Sequence, residues 1–239
     1  MRVAMNHKTQ QLLPGFTVRN DADFDSFYAP GSLRLIKSTL MQCVSREESD
    51  CIYLSGSGGS GKSHLLQAVC NAAASNGKQA IYLPMQELKA YPPEAVLEGM
   101  VDADFICLDD IDAISGLPGW QEAVFHLYNQ RFALEKPVYF AAGQSARALD
   151  FQLPDLVSRL AACLAFQLPA LNDEEKTALL QHLADLRGMR INDASAAYII
   201  QRSGRSIHDL VSLLELLDRE SLIANRRITV PFIKSLTGW

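Results

Sequence analysis

Short apolar runs alternate with longer amphipathic stretches over the first two thirds of the chain. The runs are rich in β-branched and aromatic side chains, a pattern typical of buried strands, whereas the intervening stretches place apolar residues at helical spacing. Strands that alternate with helices indicate an α/β domain built on a parallel sheet. The five predicted strands are residues 51–54, 80–83, 105–108, 137–142 and 164–168.

From Asn172 onward the pattern is helical only. Asn172 can cap a helix whose first turn is acidic, and carboxylates are favourable at the positive end of a helix. The sequence therefore predicts a P-loop-type α/β domain over residues 17–170 and a small all-helical domain over residues 171–239. Its predicted helices are residues 172–188, 193–202, 206–225 and 231–236.

Residues 1–16 have no periodic pattern. A mostly polar stretch is followed by apolar residues around a turn at Pro14–Gly15. Two interpretations remain open at this point. The segment is either a disordered tail or a short linear motif whose apolar anchors dock into a partner.

Residues Gly56–Ser63 carry the most specific motif of the chain. They fit G-x-x-x-x-G-K-[ST], and they lie between a predicted strand and a predicted helix. Glycines allow the backbone to curl and to aim several N–H groups at a phosphate, and the following helix points its positive end at the same anion. The residues expected to bind a nucleotide are Gly58, Gly59, Ser60, Gly61, Lys62, Ser63 and His64.

The same stretch also fits G-x-G-x-x-G, the fingerprint of a dinucleotide-binding Rossmann domain. That interpretation needs an acidic residue at the end of the second strand, where this chain has Pro84 and Met85. Lys62 and Ser63 would have no role in such a turn. The P-loop interpretation is therefore preferred.

Two carboxylates end the third predicted strand, as in a Walker B motif. Asp109, together with the Ser63 hydroxyl, is expected to hold Mg²⁺. Asp110 stands where many ATPases have a glutamate that orients the attacking water. Its side chain is one methylene shorter, so we expect slow hydrolysis by this chain alone. Upstream, Phe27 and Tyr28 could contact a nucleotide base or belong to the core.

The composition argues against a strong DNA-binding protein and against a membrane-spanning one. The formal net charge is −5 and the sequence pI is about 5.5, which gives no general attraction for nucleic acid, so strong intrinsic DNA binding is not expected. The apolar run Leu160–Phe166 is too short to span a membrane. Five scattered cysteines without a C-x-x-C pair are typical of a reducing cytosol, which predicts a cytoplasmic protein.

Four segments resemble a known family. They are Gly61–Leu66 (GKSHLL), Leu108–Ile111 (LDDI), Leu153–Leu160 (LPDLVSRL) and Thr229–Lys234 (TVPFIK). Together with the α/β-then-helical order, they resemble the AAA+ ATPases and, among these, the DnaA-related proteins of the Hda type. DnaA itself carries a helix-turn-helix domain after the helical lid, whereas this chain ends at Trp239, which favours the Hda type.

The resemblance implies a function and several site residues. Such proteins bind ADP or ATP (other nucleoside diphosphates remain open) with Mg²⁺, and they stimulate hydrolysis of DnaA-bound ATP, which prevents a second initiation of chromosome replication. Arg159 matches the family's arginine finger, and Arg205 or His208 would contact phosphate from the lid. Gln10, Leu13 and Pro14 match a motif that binds the sliding clamp, the β subunit of DNA polymerase III, although Gln11–Leu12 could also start that motif. The resemblance also leaves room for a homo-oligomer.

Two other classes of function stay open from the sequence. A DnaA-related helicase loader or initiator would show brisk turnover of its own and would bind single-stranded DNA. A small-molecule or nucleotide kinase would need an acceptor site and a phosphate-gripping lid. The lid arginines, residues 187, 190, 202 and 205, form no clear cluster along the sequence.

Overall fold

The computed structural model describes residues 18–19, 21–46, 49–203 and 207–239, without the side chain of His208. The predicted clamp motif (Gln10, Leu13 and Pro14) and Arg205 lie outside the described residues.

Five parallel strands form a single sheet, as the sequence predicts. Their spatial order is β2-β3-β4-β1-β5, so β1, which leads into the P-loop, lies between β4 and β5. The register places Ser55 of β1 beside Ala142 and Gln167. The strands are β1 (Ile52–Ser55), β2 (Ala80–Pro84), β3 (Phe105–Asp109), β4 (Val138–Ala142) and β5 (Leu164–Gln167).

Helices connect the strands and cover both faces of the sheet. The α/β domain contains α1 (Leu33–Arg46), α2 (Lys62–Ser75), α3 (Met85–Leu88), α4 (Pro93–Leu97), α5 (Pro118–Ala133) and α6 (Pro154–Ala162). Two short 3₁₀ turns span Ile111–Ile114 and Ala146–Ala148. The lid contains α7 (Asp173–Leu186), α8 (Asp193–Arg202), α9 (Ile207–Ala224) and α10 (Val230–Thr237).

Alternate residues of the central strands enter two separate cores. On β3, Ile106 and Leu108 pack with α5 and α6, while Phe105 and Cys107 face α1 and α2. This follows from the two-residue repeat of a strand, and it explains why the central strands read as continuous apolar runs. β5 differs because it lies at the edge of the sheet, where Leu164 and most of its neighbours are exposed.

The lid has a core of its own. Leu210, Leu214 and Leu217 of α9 are buried, which confirms the apolar stripe that the sequence predicts. Asn172 begins α7 with a reciprocal cap, since its Oδ1 accepts from Glu175 N (2.8 Å) and its own N–H donates to Glu175 Oε2 (3.0 Å). Across the part of the chain that the structure describes, no helix combines the length and the apolar character needed to cross a membrane.

Candidate functional site

The P-loop turn between β1 and α2 depends on glycine at two crowded positions. Gly61, directly before α2, has φ 96°, a left-handed conformation that disfavours any side chain. A Cβ atom at this position would also lie 2.6 Å from Phe27 Cε2. At Gly56 a Cβ atom would lie 2.6 Å from the carbonyl oxygen of Leu168 and 2.7 Å from Ser60 Oγ. We call residues 56–63 the phosphate cradle.

Two side chains of the phosphate cradle, those of Ser60 and Lys62, are buried. Lys62 is 6% exposed, and its ammonium donates to the carbonyl oxygens of Gly56 (2.8 Å) and Ser57 (3.1 Å). The Ser60 hydroxyl is buried and has no hydrogen-bond partner among the residues that the structure describes. A buried hydroxyl without a partner is costly, so this atom fits a site that takes up a polar ligand. Ser63, on the first turn of α2, is half-buried.

Asp109 at the end of β3 is held by two donors. It is 2% exposed; its Oδ2 accepts from the Tyr82 hydroxyl (2.5 Å) and its Oδ1 accepts from Asp110 N (3.0 Å). Each carboxylate oxygen keeps lone-pair capacity for a cation. Burial, followed by the charge of Asp109, raises the pKa of Tyr82, which therefore stays a hydrogen-bond donor. Sequence reasoning missed Tyr82.

Asp110 adopts a left-handed backbone conformation, with φ 51°. Partial burial and the negative charges of Asp109 and Asp112 raise its pKa, while Lys62 opposes that effect. Asp112 in turn accepts from Gly143 N (3.2 Å), which ties this acidic turn to the end of β4. A backbone N–H at the tip of β4 thus contacts the acidic turn.

A segment that precedes α1 is fixed against α2. We call residues 21–28 the strap. The Asn71 amide donates to the carbonyl oxygens of Arg19 (2.9 Å) and Ala22 (2.8 Å), and His64 Nε2 donates to the carbonyl oxygen of Asp23 (2.8 Å). Burial lowers the pKa of His64, consistent with a neutral ring in this contact. The Phe27 ring lies 5.5 Å from the His64 ring.

A cavity of about 430 Å³ lies between the phosphate cradle, the strap and the lid. This volume is within the range of about 300–1,000 Å³ that small-molecule sites occupy. Its walls are mostly apolar with a few charged side chains. They are formed by Arg19, Asp21, Ser26, Phe27, Tyr28, Leu33, Gly59, Ser60, Gly61, His64, Leu171, Leu179, Leu183, Leu186, Arg187, Ile207 and Val211.

Both aromatic candidates line this cavity, and Phe27 also belongs to the core. Phe27 is 7% exposed and packs with α1 and α2, so it belongs to the core, while its contact with a nucleotide base stays a prediction. Tyr28 is half-buried, with its ring 5.7 Å from that of His182 in the lid. From the lid, Arg187 adds a cation that pairs with Glu215 at 3.9 Å. Sequence reasoning did not assign Arg187 to this site.

Arg159 lies elsewhere. It is exposed near the end of α6 and is not part of the cavity wall. Its guanidinium carbon lies 6.0 Å from the centre of the Tyr128 ring, a cation–π contact. Within the described ranges, no carboxylate lies within 4.0 Å of the guanidinium group. The structure therefore brings together the loop, strap and strand-end residues predicted from sequence, but keeps Arg159 apart from them.

Two family models together cover most of the chain. The model of the bacterial DnaA ATPase domain matches residues 19–167, and the model of the Hda lid domain matches residues 173–236. The chain belongs to the DnaA-related AAA+ proteins of the Hda type. The predicted family and fold are thereby confirmed.

Two individual proteins resemble nearly the whole chain. An uncharacterised protein of Haemophilus influenzae is 38% identical over 218 residues, which are 91% of this chain and 94% of the relative. Domain III of DnaA from Thermotoga maritima superposes with a TM-score of 0.79 at 17% identity, covering 93% of this chain and 98% of that domain.

Longer solved proteins share the same fold. AMPPCP-bound DnaA from Aquifex aeolicus superposes with a TM-score of 0.74 at 21% identity, and the match covers 84% of this chain and 66% of that protein. A DNA replication initiation factor superposes with a TM-score of 0.73 at 20% identity. This match covers 84% of this DnaA-related chain and 65% of that protein. At these identities the likeness describes the fold.

Proposed function

We propose that this chain binds an adenine nucleotide with Mg²⁺ and stimulates the hydrolysis of ATP held by DnaA, so that it acts as a negative regulator of chromosome replication initiation. The observation that carries the proposal is the exposed Arg159, which has no carboxylate partner in the described part of a chain that pairs a DnaA-type ATPase domain with an Hda-type lid. The sliding clamp would recruit the chain through its N-terminal tail.

Nucleotide binding is supported by the phosphate cradle and the cavity beside it. The curled backbone and the unpartnered Ser60 hydroxyl suit the phosphates of ADP or ATP, and Lys62 supplies a cation. Ser63 and Asp109 would hold Mg²⁺, which neutralises phosphate charge when bound. The base would lie against Phe27 and Tyr28. The Aquifex aeolicus DnaA of the same fold is bound to AMPPCP, a nucleotide analogue.

Stimulation in trans is supported by the surroundings of Arg159. The guanidinium group lies over the Tyr128 ring on the surface, away from this chain's own cavity, so it is free to enter the site of a neighbouring molecule. A guanidinium donated to a transferring γ-phosphoryl group neutralises developing charge, which is worth about 10³–10⁵ in rate in other NTPases.

Two parts of the proposal involve residues outside the described ranges. Gln10, Leu13 and Pro14 would bind the clamp, as the sequence motif predicts. Arg205 would contact phosphate, with His208 as the alternative.

A single-turnover assay tests the proposal. DnaA loaded with labelled ATP is mixed with this protein and with clamp loaded on DNA, and hydrolysis is followed. We expect acceleration by the parent, loss of at least about 10³-fold acceleration with Arg159→Ala, and loss of clamp dependence with Gln10→Ala. Arg34→Ala, which removes an exposed arginine from α1, should behave as the parent.

The second candidate is an initiator or helicase loader with its own turnover. The observation that favours it is Asp110, which adjoins Asp109 beside the phosphate cradle, where a water-orienting carboxylate stands in many ATPases. Brisk ATP hydrolysis by this protein alone, without any acceleration of DnaA, would establish this candidate and exclude the regulatory one.

A further inference from the structure

Gln121 on α5 is a fully buried amide that contacts two distant segments. It is 0% exposed. Its Nε2 donates to the carbonyl oxygen of Ile114 (3.1 Å), and its Oε1 accepts from the backbone N–H groups of Gln152 (2.8 Å) and Leu153 (3.1 Å). Among the described residues, few uncharged polar side chains are buried to this degree.

One of these segments begins at the candidate Mg²⁺ site. Ile114 ends the 3₁₀ turn that starts directly after Asp110, the residue that donates its N–H to Asp109. A shift of the Asp109–Asp110 backbone would therefore reach the Ile114 carbonyl through four residues of a tight turn. Gln121 contacts the far end of that turn.

The other segment is the start of the helix that carries Arg159. Gln152 and Leu153 directly precede Pro154, the first residue of α6, and Leu153 provides no side-chain cap. Because Pro154 has no N–H, the two N–H groups that Gln121 binds are the last backbone donors before α6 begins. A side chain from α5 thus fixes the start of α6.

Helix α5 also contacts the other end of α6. Tyr128, under the Arg159 guanidinium, lies seven residues after Gln121 on α5, so both side chains lie on one face of that helix. α5 therefore holds α6 at two points, by hydrogen bonds at its start and by the Tyr128 ring at Arg159.

We propose that Gln121 is a positioning residue that couples this chain's own nucleotide site to Arg159. It sets the place of α6 relative to the Asp110–Ile114 turn, so the nucleotide bound in this chain controls how well Arg159 enters the DnaA site. This inference rests on the function proposed above and adds a regulatory step to it. Arg159 would act on the reacting phosphate, and Gln121 would act through Arg159.

Two substitutions separate this role from simple packing. Gln121→Met keeps the length and shape of the side chain but removes all three hydrogen bonds. Gln121→Glu keeps the acceptor for Gln152 and Leu153 and, when protonated in this buried place, can still donate to Ile114. The readouts are the single-turnover rate at saturating protein, the concentration that gives half saturation, and the ratio of stimulation with ADP and with an unreactive ATP analogue in this chain.

We expect Gln121→Met to lower the saturated rate by about tenfold or more, because a displacement of about 1 Å is enough to misplace a catalytic group. The half-saturating concentration and the ADP affinity should stay near those of the parent, and the difference between ADP and the analogue should disappear. Gln121→Glu should restore most of the rate. A Gln121→Met protein with the parent's saturated rate and nucleotide dependence would overturn the inference.

Hydrogen exchange of the parent protein provides a test that needs no substitution. If the coupling exists, saturating ADP changes the exchange of the Gln152 and Leu153 amides, and an unchanged rate at both would overturn it. This measurement also stands if Gln121→Met fails to fold. If Arg159→Ala loses stimulation and Gln121→Met keeps that of the parent, the proposed function stands and only the coupling is removed. If the parent itself gives no stimulation, the proposed function is removed, and the exchange measurement decides whether the nucleotide site and the start of α6 are coupled.

Discussion

The phosphate cradle and the surface around Arg159 belong to the same α/β domain, but their charged groups have different surroundings. Lys62 in the phosphate cradle and Asp109 at the end of β3 are buried, and each is hydrogen-bonded twice within the chain. Arg159 is exposed and rests on one aromatic ring. The cradle is thus organised by this chain alone, whereas Arg159 is held in place without a charged partner in the described residues.

The difference indicates that nucleotide binding would need this chain alone, whereas the action of Arg159 would need a second molecule. A preorganised cradle holds a nucleotide without further assembly, since the polar groups are fixed before the ligand arrives. An exposed arginine contributes only when a second molecule brings an anion to it. The following predictions test this contrast, beginning with the largest expected effect.

Gly61→Ala should weaken ADP binding by at least about a hundredfold, because left-handed strain of about 1–2 kcal/mol and the collision with the Phe27 ring act together. Gly99→Ala is the matched control, since Gly99 has φ 73° but no atom within 4 Å of the added Cβ. It should lower stability slightly and leave ADP affinity unchanged. Titration calorimetry and urea unfolding measure both, and equal ADP affinities for the two variants would contradict a preorganised cradle.

Tyr82→Phe should lower the free energy of unfolding by about 1.5–3 kcal/mol, because buried Asp109 loses a charge-assisted hydrogen bond. The Mg²⁺-dependent part of ATP affinity should fall as well, since the carboxylate is no longer held in one orientation. Tyr91→Phe alters an exposed tyrosine and serves as the control. Identical urea midpoints for the two variants would show that the Tyr82 contact contributes nothing.

Arg159→Ala should change the free energy of unfolding by less than about 1 kcal/mol, because the side chain is exposed and its contact with Tyr128 is a surface cation–π interaction. This small value would contrast with the large loss of DnaA stimulation expected for the same variant. If chemical denaturation instead reveals a loss of several kcal/mol, Arg159 has a structural role and the contrast between the two regions fails.

Asp110→Asn should raise stability modestly at neutral pH in the absence of Mg²⁺. Partial burial and the charges of Asp109 and Asp112 raise the pKa of Asp110, so its ionised form disfavours folding above that pKa. As the pH falls towards the ordinary aspartate range of about 3.9, Asp110 takes up a proton in the folded protein and the advantage of the variant should shrink. Thermal melts between neutral and acidic pH measure this, with Asp50→Asn as an exposed control. A constant or growing advantage at low pH would refute the assigned cause.

Some parts of the site could be predicted from the sequence and others could not. The phosphate cradle and Asp109 follow from local spacing, since one loop and one strand end determine them. Tyr82 contacts Asp109 across 27 residues, and Gln121 contacts Leu153 across 32, so both depend on strand order and helix packing. Arg187 reaches the cavity from the lid, and no spacing along the chain marks that contact.

The helical lid and the edge strand β5 show the same division. Its stripe of leucines on α9 and the cap at Asn172 are local patterns, and both are present in the structure. The exposure of β5 was not predictable from its apolar sequence, because only the strand order places it at the edge.

The position of Lys62 changes how a common experiment on such proteins should be interpreted. Replacing this lysine with alanine is meant to remove a contact with phosphate, but in this chain the ammonium also bridges the carbonyl oxygens of Gly56 and Ser57. The substitution would remove one donor from each carbonyl, although the Ser57 oxygen still accepts from Ser60 N (3.1 Å), and it would loosen the loop before any ligand is added. Lys62→Ala is therefore a folding variant as well as a binding variant, and a null phenotype from it would not by itself report on nucleotide.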